Sequence, residues 1–185
     1  MVKKINNKSS RPDNIVIRDH MVIEECEHIE SELPSFMRDY FVYLRGSVAP
    51  TTRRAYLHDI KFFCDYLIGT DLFTNAENPK DILLEEFNEI KARDVNLFLG
   101  DYCNSYYKEI NDERVLFENN NKALARKKSS ISTLFKFLFR NEQIDEDITS
   151  GFNPIKLPKP QPDAIKRLAI DEVSIMLDAV ESGNG

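Results

Sequence analysis

The chain has 185 residues, 42% of them hydrophobic and 30% charged, and a formal net charge of −6. That length suits one domain with tails, and that balance supports a globular core. No apolar run approaches the ~18 residues of a membrane span, no apolar stretch follows the basic residues 1–8 as in a secretory signal, and the odd, dispersed Cys26, Cys64 and Cys103 argue against a disulfide framework; a cytoplasmic protein with no membrane partner is the expectation.

Residues 1–31 read as an N-terminal arm, disordered over the first dozen positions and then acidic. Within it Asn14-Ile15-Val16-Ile17 reads as a short strand or as part of the arm. Cys26 and His28 among glutamates offer at most a weak metal pair, because no second ligand pair stands at zinc spacing. No metal or cofactor is expected. A helix is predicted over 33–44, with Pro34 in its first turn and Phe36, Tyr40, Phe41 and Leu44 at helical spacing before Gly46. A second is predicted over 51–68, where Tyr56, Ile60, Phe63 and Leu67 form a 4-3-4 stripe between Pro50 and Gly69. Residues 70–90 read as a short helix or an extended connection. A third long helix is predicted over 92–108 from the stripe Val95, Phe98, Leu99, Tyr102 and Tyr106, with Asp94 suited to its first turn. Residues 111–121 read as a polar connection, and a fourth helix over 120–140 buries Leu124, Ile131, Leu134, Phe135 and Leu138. Four prolines in the nine residues 154–162 mark a stiff linker. Beyond it Ile170, Val173, Met176 and Leu177 open a new amphipathic element, read either as the start of a second domain or as a terminal helix packing back.

Charge is distributed unevenly. Residues 119–140 hold Lys122, Arg126, Lys127, Lys128, Lys136 and Arg140 with no acid, whereas residues 24–32 hold five glutamates and no base. A strong local field is compatible with a net acidic chain. On the fourth helix Arg126, Lys127, Ser129, Ser130, Ser132 and Thr133 cover much of the circumference outside the apolar stripe. Cations neutralise phosphates, and short hydroxyl side chains allow close approach to a groove. The second helix opens with Thr51-Thr52-Arg53-Arg54, followed by His58 and Lys61, where helix-start amides favour a phosphate. The bland alternative is a solvated charged face. Because none of Arg53, Arg54, Arg126 and Lys127 lies on an apolar stripe, alanine at all four is expected to leave the fold intact.

The pattern Thr52-x3-Tyr56-x2-Asp59-Ile60-x2-Phe63-x2-Tyr66-Leu67 resembles the signature helix of the core-binding, SAM-like domain of tyrosine recombinases, also called phage integrases. Ile90 to Val95 with Phe98-Leu99 looks like that domain's third helix, and Arg126 to Ile131 with Leu134 to Leu138 resembles its last. Ile144, Asn153-Pro154, Leu157-Pro158-Lys159 and Leu168-x2-Asp171-Glu172-Val173 follow in the family's order, so the resemblance covers roughly residues 32–180. Lys128 departs from it, standing where the family usually has an apolar residue. The resemblance implies an all-α fold: a four-helix orthogonal bundle over 32–152, a linker over 153–169, and the truncated start of a catalytic domain over 170–185. It implies that the second and fourth helices approach the major groove of duplex DNA. Thr51, Thr52, Arg53, Arg54, His58, Lys61, Arg126, Lys127, Ser130 and Lys136 would then be contact residues, with Lys156 and Lys159 meeting phosphates from the linker. It also implies other recombinase protomers on DNA as partners in a longer parent protein.

The family's chemistry joins a DNA 3′-phosphate to a tyrosine, with arginines, a lysine and a histidine clamping the phosphate. Within this sequence the last Tyr is Tyr107 and the last His is His58, both before the linker. No catalytic residue is assigned, and the chain alone is not expected to be an enzyme. Two other classes stay open: a stand-alone DNA-binding accessory or regulatory protein, and a helical module whose basic helix meets an acidic protein.

Overall fold

In the computed structural model, which describes residues 10–70, 72–73 and 76–157, Pro12 adopts an extended conformation (φ −56, ψ 140) and launches a 19-residue helix, α1, over Asp13–Ser31. The acidic segment is therefore helical, and residues 14–17 are neither strand nor arm. Val22, Cys26, Ile29 and Leu33 repeat at intervals of three or four and are buried. Sequence pattern concealed this helix because its apolar side chains, in the runs Ile15–Ile17 and Met21–Ile23, are spread around it and not gathered on one stripe; ion pairs to the rest of the fold add to its cohesion.

The segment expected as one helix over 33–44 divides. Pro34 precedes a single 3₁₀ turn, Ser35–Met37, and α2 follows over Arg38–Ser47. After the extended Val48, α3 spans Pro50–Ile68 with proline at its first position. Leu57, Ile60, Phe63, Cys64 and Leu67 of α3 are fully buried, making it the central helix. Two short elements occupy the ambiguous stretch after it: a 3₁₀ turn at Pro79–Asp81 and α4 at Leu84–Asn88. Each begins with an acid closing on a backbone amide, Asp81 accepting from the Asn78 N–H at 3.0 Å and Glu86 from Leu83 at 3.2 Å.

The predicted helix over 92–108 is the largest departure. α5 covers Ala92–Leu97, widens into a π-turn at Phe98–Tyr102, and stops. The chain then forms a hairpin of β1 (Ser105–Ile110) and β2 (Glu113–Glu118), paired antiparallel from Ser105↔Glu118 to Ile110↔Glu113. Asn111 and Asp112 bridge the strands with φ of 52° and 63°, the left-handed pair that a tight two-residue hairpin loop requires. The fold is thus mostly helical with one two-stranded sheet. The stripe Tyr102–Tyr106 misled because a strand also keeps the rings together: Tyr106 stacks on Phe117 at 5.6 Å and lies 5.0 Å from Phe62 of α3.

The last long helix, α6, spans Asn121–Arg140, capped by Asn120, whose side chain accepts from the Ala123 N–H at 2.9 Å. It ends with Glu142 in left-handed geometry (φ 56°), where Gln143 N–H reaches the Leu138 carbonyl at 2.9 Å. A final 3₁₀ turn, Ile148–Gly151, presses Gly151 against α5, such that a β-carbon there would lie 2.7 Å from that of Ala92.

The segment expected to start a linker is docked at its beginning. Asn96 takes the Asn153 N–H at 2.8 Å and donates to the Gly151 carbonyl at 3.0 Å. Asn121 donates to the Lys156 carbonyl at 2.7 Å, and Lys128 donates to the Asn153 carbonyl at 2.8 Å. Lys128, the odd residue of the family pattern, is thus half-buried as a clamp on the exit strand. Lys159 and the expected element over 170–185 lie outside the described residues. Among the described residues no helix is long and apolar enough to cross a membrane.

Two substitutions probe the backbone. Glu142→Gly should stabilise by about 1 kcal/mol by relieving left-handed strain, and Gly151→Ala should destabilise by about 1–3 kcal/mol by overpacking against Ala92. Urea unfolding followed by circular dichroism measures both, and equal midpoints for the two variants would contradict the assigned geometry.

Candidate nucleic-acid interface

The basic residues of α3 and α6 divide into those turned inward and those left facing solvent. At the centre lies Asp59 of α3, 1% exposed. Its Oδ1 accepts from Arg126 Nη2 at 2.9 Å and Lys127 Nζ at 3.0 Å, and its Oδ2 from Ser130 Oγ at 2.9 Å. Lys127 Nζ also lies 4.9 Å from the centre of the Phe62 ring, a cation–π position. Lys127 and Ser130, expected at the DNA surface, are instead buried structural partners of Asp59. Arg126 gives Asp59 one donor while its side chain stays 48% exposed, leaving guanidinium donors for a ligand.

A second lock joins α1, α2 and α3. Glu30, buried on α1, accepts from Arg53 Nε at 3.0 Å and Nη2 at 2.6 Å, and from Arg45 Nη2 at 2.7 Å. Arg53 is only 4% exposed. The premise that all four arginine and lysine positions sit off the packed interior is thereby corrected: Arg53 and Lys127 are interior, and alanine at either strands a buried carboxylate's partner set. The remaining basic side chains of α3 are also paired, with α1 and the residue that caps it. Arg54 donates to Glu25 at 3.0 Å, His58 lies 3.2 Å from the same carboxylate, and Lys61 donates to Glu32 at 2.9 Å. Thr51 is exposed and Thr52 half-buried in the first turn of α3.

Most of what α6 leaves outside forms one row; Asn121 and Phe139 are exposed beside it. Lys122, Arg126, Ser129, Thr133, Lys136 and Arg140 follow at intervals of 4-3-4-3-4; all are exposed except Thr133, which is half-buried. At 1.5 Å per residue the row extends about 27 Å, and α6 contains no acidic residue. Tyr56 of α3 lies beside it, its hydroxyl 3.2 Å from Ser129 Oγ. Tyr43, Thr133, Lys136, Phe137 and Arg140 line a cleft of about 350 Å³ along its C-terminal half, where the Tyr43 and Phe137 rings sit 5.1 Å apart. Lys156, exposed, is tied to the start of α6 through its carbonyl bond to Asn121. Of the expected contact residues, Arg126 and Lys136 therefore share this face, whereas Lys156 lines a separate recess with Asn96, Leu99 and Leu124. Lys122, Ser129, Thr133, Arg140 and Tyr56 complete the face, and counting in steps of three and four from Arg126 finds the α6 members.

Carboxyl acidities follow the pairing. The hydrogen bond from Arg54, then that from His58, holds Glu25 below the usual carboxylate range; the bond from Lys61 does the same for Glu32. Asp147 is lowered chiefly by its Thr149 hydrogen bond, with Lys136 and Arg140 adding through-space pull. Burial raises all three thiols, Cys103 to about 12, so none is a ready thiolate. Cys26 is fully buried, and among the described residues no group of three or more His, Cys, Asp or Glu side chains is placed to hold a metal ion.

Two outcomes test this electrostatic reading. Asp59→Ala should destabilise by about 3–5 kcal/mol by leaving Lys127 buried without its counter-charge, whereas Arg126→Ala should cost clearly less, since that side chain is half in solvent; urea midpoints compare them, and equal losses would contradict the lock. Carboxylates with depressed folded-state pKa values stabilise above their unfolded values and cease to do so as pH falls through the folded ones. The urea midpoint should therefore drop on acidification below about pH 4.5, and less steeply in Glu25→Gln/Glu32→Gln; identical acid profiles would count against these pairs. No protein-family model, no curated protein and no solved structure matches this chain.

Proposed function

We propose that this chain is the DNA-binding part of a tyrosine-type site-specific recombinase, holding duplex DNA through the outer face of α6. The observation that carries the reading is the acid-free row Lys122, Arg126, Ser129, Thr133, Lys136 and Arg140. Four cations spread over about 27 Å match a run of phosphates, and the hydroxyls between them let the helix approach a groove. Exposed Arg126 guanidinium edges suit phosphate or guanine. On this reading α2, α3, α5 with its π-turn, and α6 are the four helices of the core-binding bundle, and α1 and the hairpin are additions to it. Residues 153–157 then carry the chain from the DNA-facing helix toward a catalytic domain.

The chain binds without cutting, because its tyrosines and histidines precede the exit strand. The buried Tyr40 is unsuited to attack: its hydroxyl is pushed well above its ordinary pKa by desolvation.

In fluorescence anisotropy across a salt series, the parent should bind duplex DNA with a log K against log salt slope that falls by about 0.9 for each phosphate contact removed. Lys122→Ala, Arg126→Ala, Lys136→Ala and Arg140→Ala should each flatten it, and the fourfold variant should lose most binding while keeping its helical circular dichroism. A folded fourfold variant that binds as the parent does would reduce the row to a solvated surface and move the protein-interaction reading to first place.

A further inference from the structure

The basic side chains of α3 pose a question that the α6 row does not. Arg54, His58 and Lys61 are partly exposed and lie on the helix adjoining α6, yet α1 and the residue that caps it provide a carboxylate for each: Glu25 for Arg54 and His58, Glu32 for Lys61. The buried Glu30–Arg53 pair, joined by the exposed Arg45, and the packing of Val22, Cys26 and Ile29 fix α1 in that position. Glu25 and Glu32 thus occupy the ligand positions that phosphate oxygens would take.

Resting on the reading that α6 binds duplex DNA, we propose that Glu25 and Glu32 are footprint-determining residues, which confine DNA contact to α6 by neutralising the α3 face. They act as internal stand-ins for phosphate. Two further glutamates of α1, Glu24 and Glu27, are exposed and are neither hydrogen-bonded nor ion-paired to an α3 cation. They provide a control of equal charge: either pair of Glu→Gln changes removes two negative charges from residues 24–32, but only one pair uncovers α3.

The test is duplex binding by anisotropy in a salt series, with circular dichroism as folding control. Glu25→Gln/Glu32→Gln should tighten binding and steepen the salt slope by about 0.9 for each α3 cation recruited. Glu24→Gln/Glu27→Gln should leave the slope at the parent value. Adding Arg54→Ala and Lys61→Ala to the first variant should return the slope to that of the parent. The single changes Glu25→Gln and Glu32→Gln should each give part of the effect, which keeps the test open if the double variant folds poorly. Equal slopes in the two double variants, with the parent binding DNA, would overturn this inference and leave the α6 reading standing. Absence of DNA binding by the parent and every variant would overturn both.

Discussion

A single buried carboxylate determines how the two basic helices face one another. Asp59 collects three donors from one turn and a half of α6. A buried charge of this kind is tolerated only when its lone pairs are met, and those partners fix rotation as well as proximity. With Lys127 and Ser130 held inward, the helical repeat leaves Lys122, Arg126, Ser129, Thr133, Lys136 and Arg140 no place but the outer side. The candidate interface is in this sense a by-product of satisfying Asp59.

The same logic divides the chain's charge. Acid and base are segregated in sequence, and the fold uses that segregation unequally. Three of the five glutamates of residues 24–32, Glu25, Glu30 and Glu32, pair with α3, so its basic side chains find carboxylates within the molecule. Among the described residues, the base-rich α6 meets Asp59 inside its packed face. A chain of net charge −6 thereby keeps a positive row along α6.

Much of the helical frame was legible in the sequence, and the failures have physical reasons. α3 and α6 were readable because their stripes of Ile60, Phe63 and Leu67, and of Leu124, Ile131 and Leu138, are dense and bounded by proline, asparagine and glycine signals. α1 was not readable because its buried Val22, Cys26 and Ile29 stand among glutamates, while the apolar Ile15–Ile17 and Met21 fall off that stripe. The hairpin was hidden twice over, by aromatics whose spacing suited a helix and by a turn, Asn111-Asp112, that lacks the glycine usually marking such loops. At the candidate site, composition pointed to the correct helix, but adjacent residues of a helix point in different directions. Arg126 and Lys127 looked equivalent in sequence, and only the position of Asp59 separates them.

The clamp formed by Asn96, Asn121 and Lys128 fixes the path of residues 153–156. Each of these side chains from α5 and α6 takes a backbone group of that segment, so the backbone is held as far as Lys156. Ordering a residue's backbone costs about 1–2 kcal/mol of conformational entropy, and these bonds offset that cost for a stretch with no regular secondary structure of its own. The segment in turn links α5 to the start of α6, and so works as a strap across the two helices.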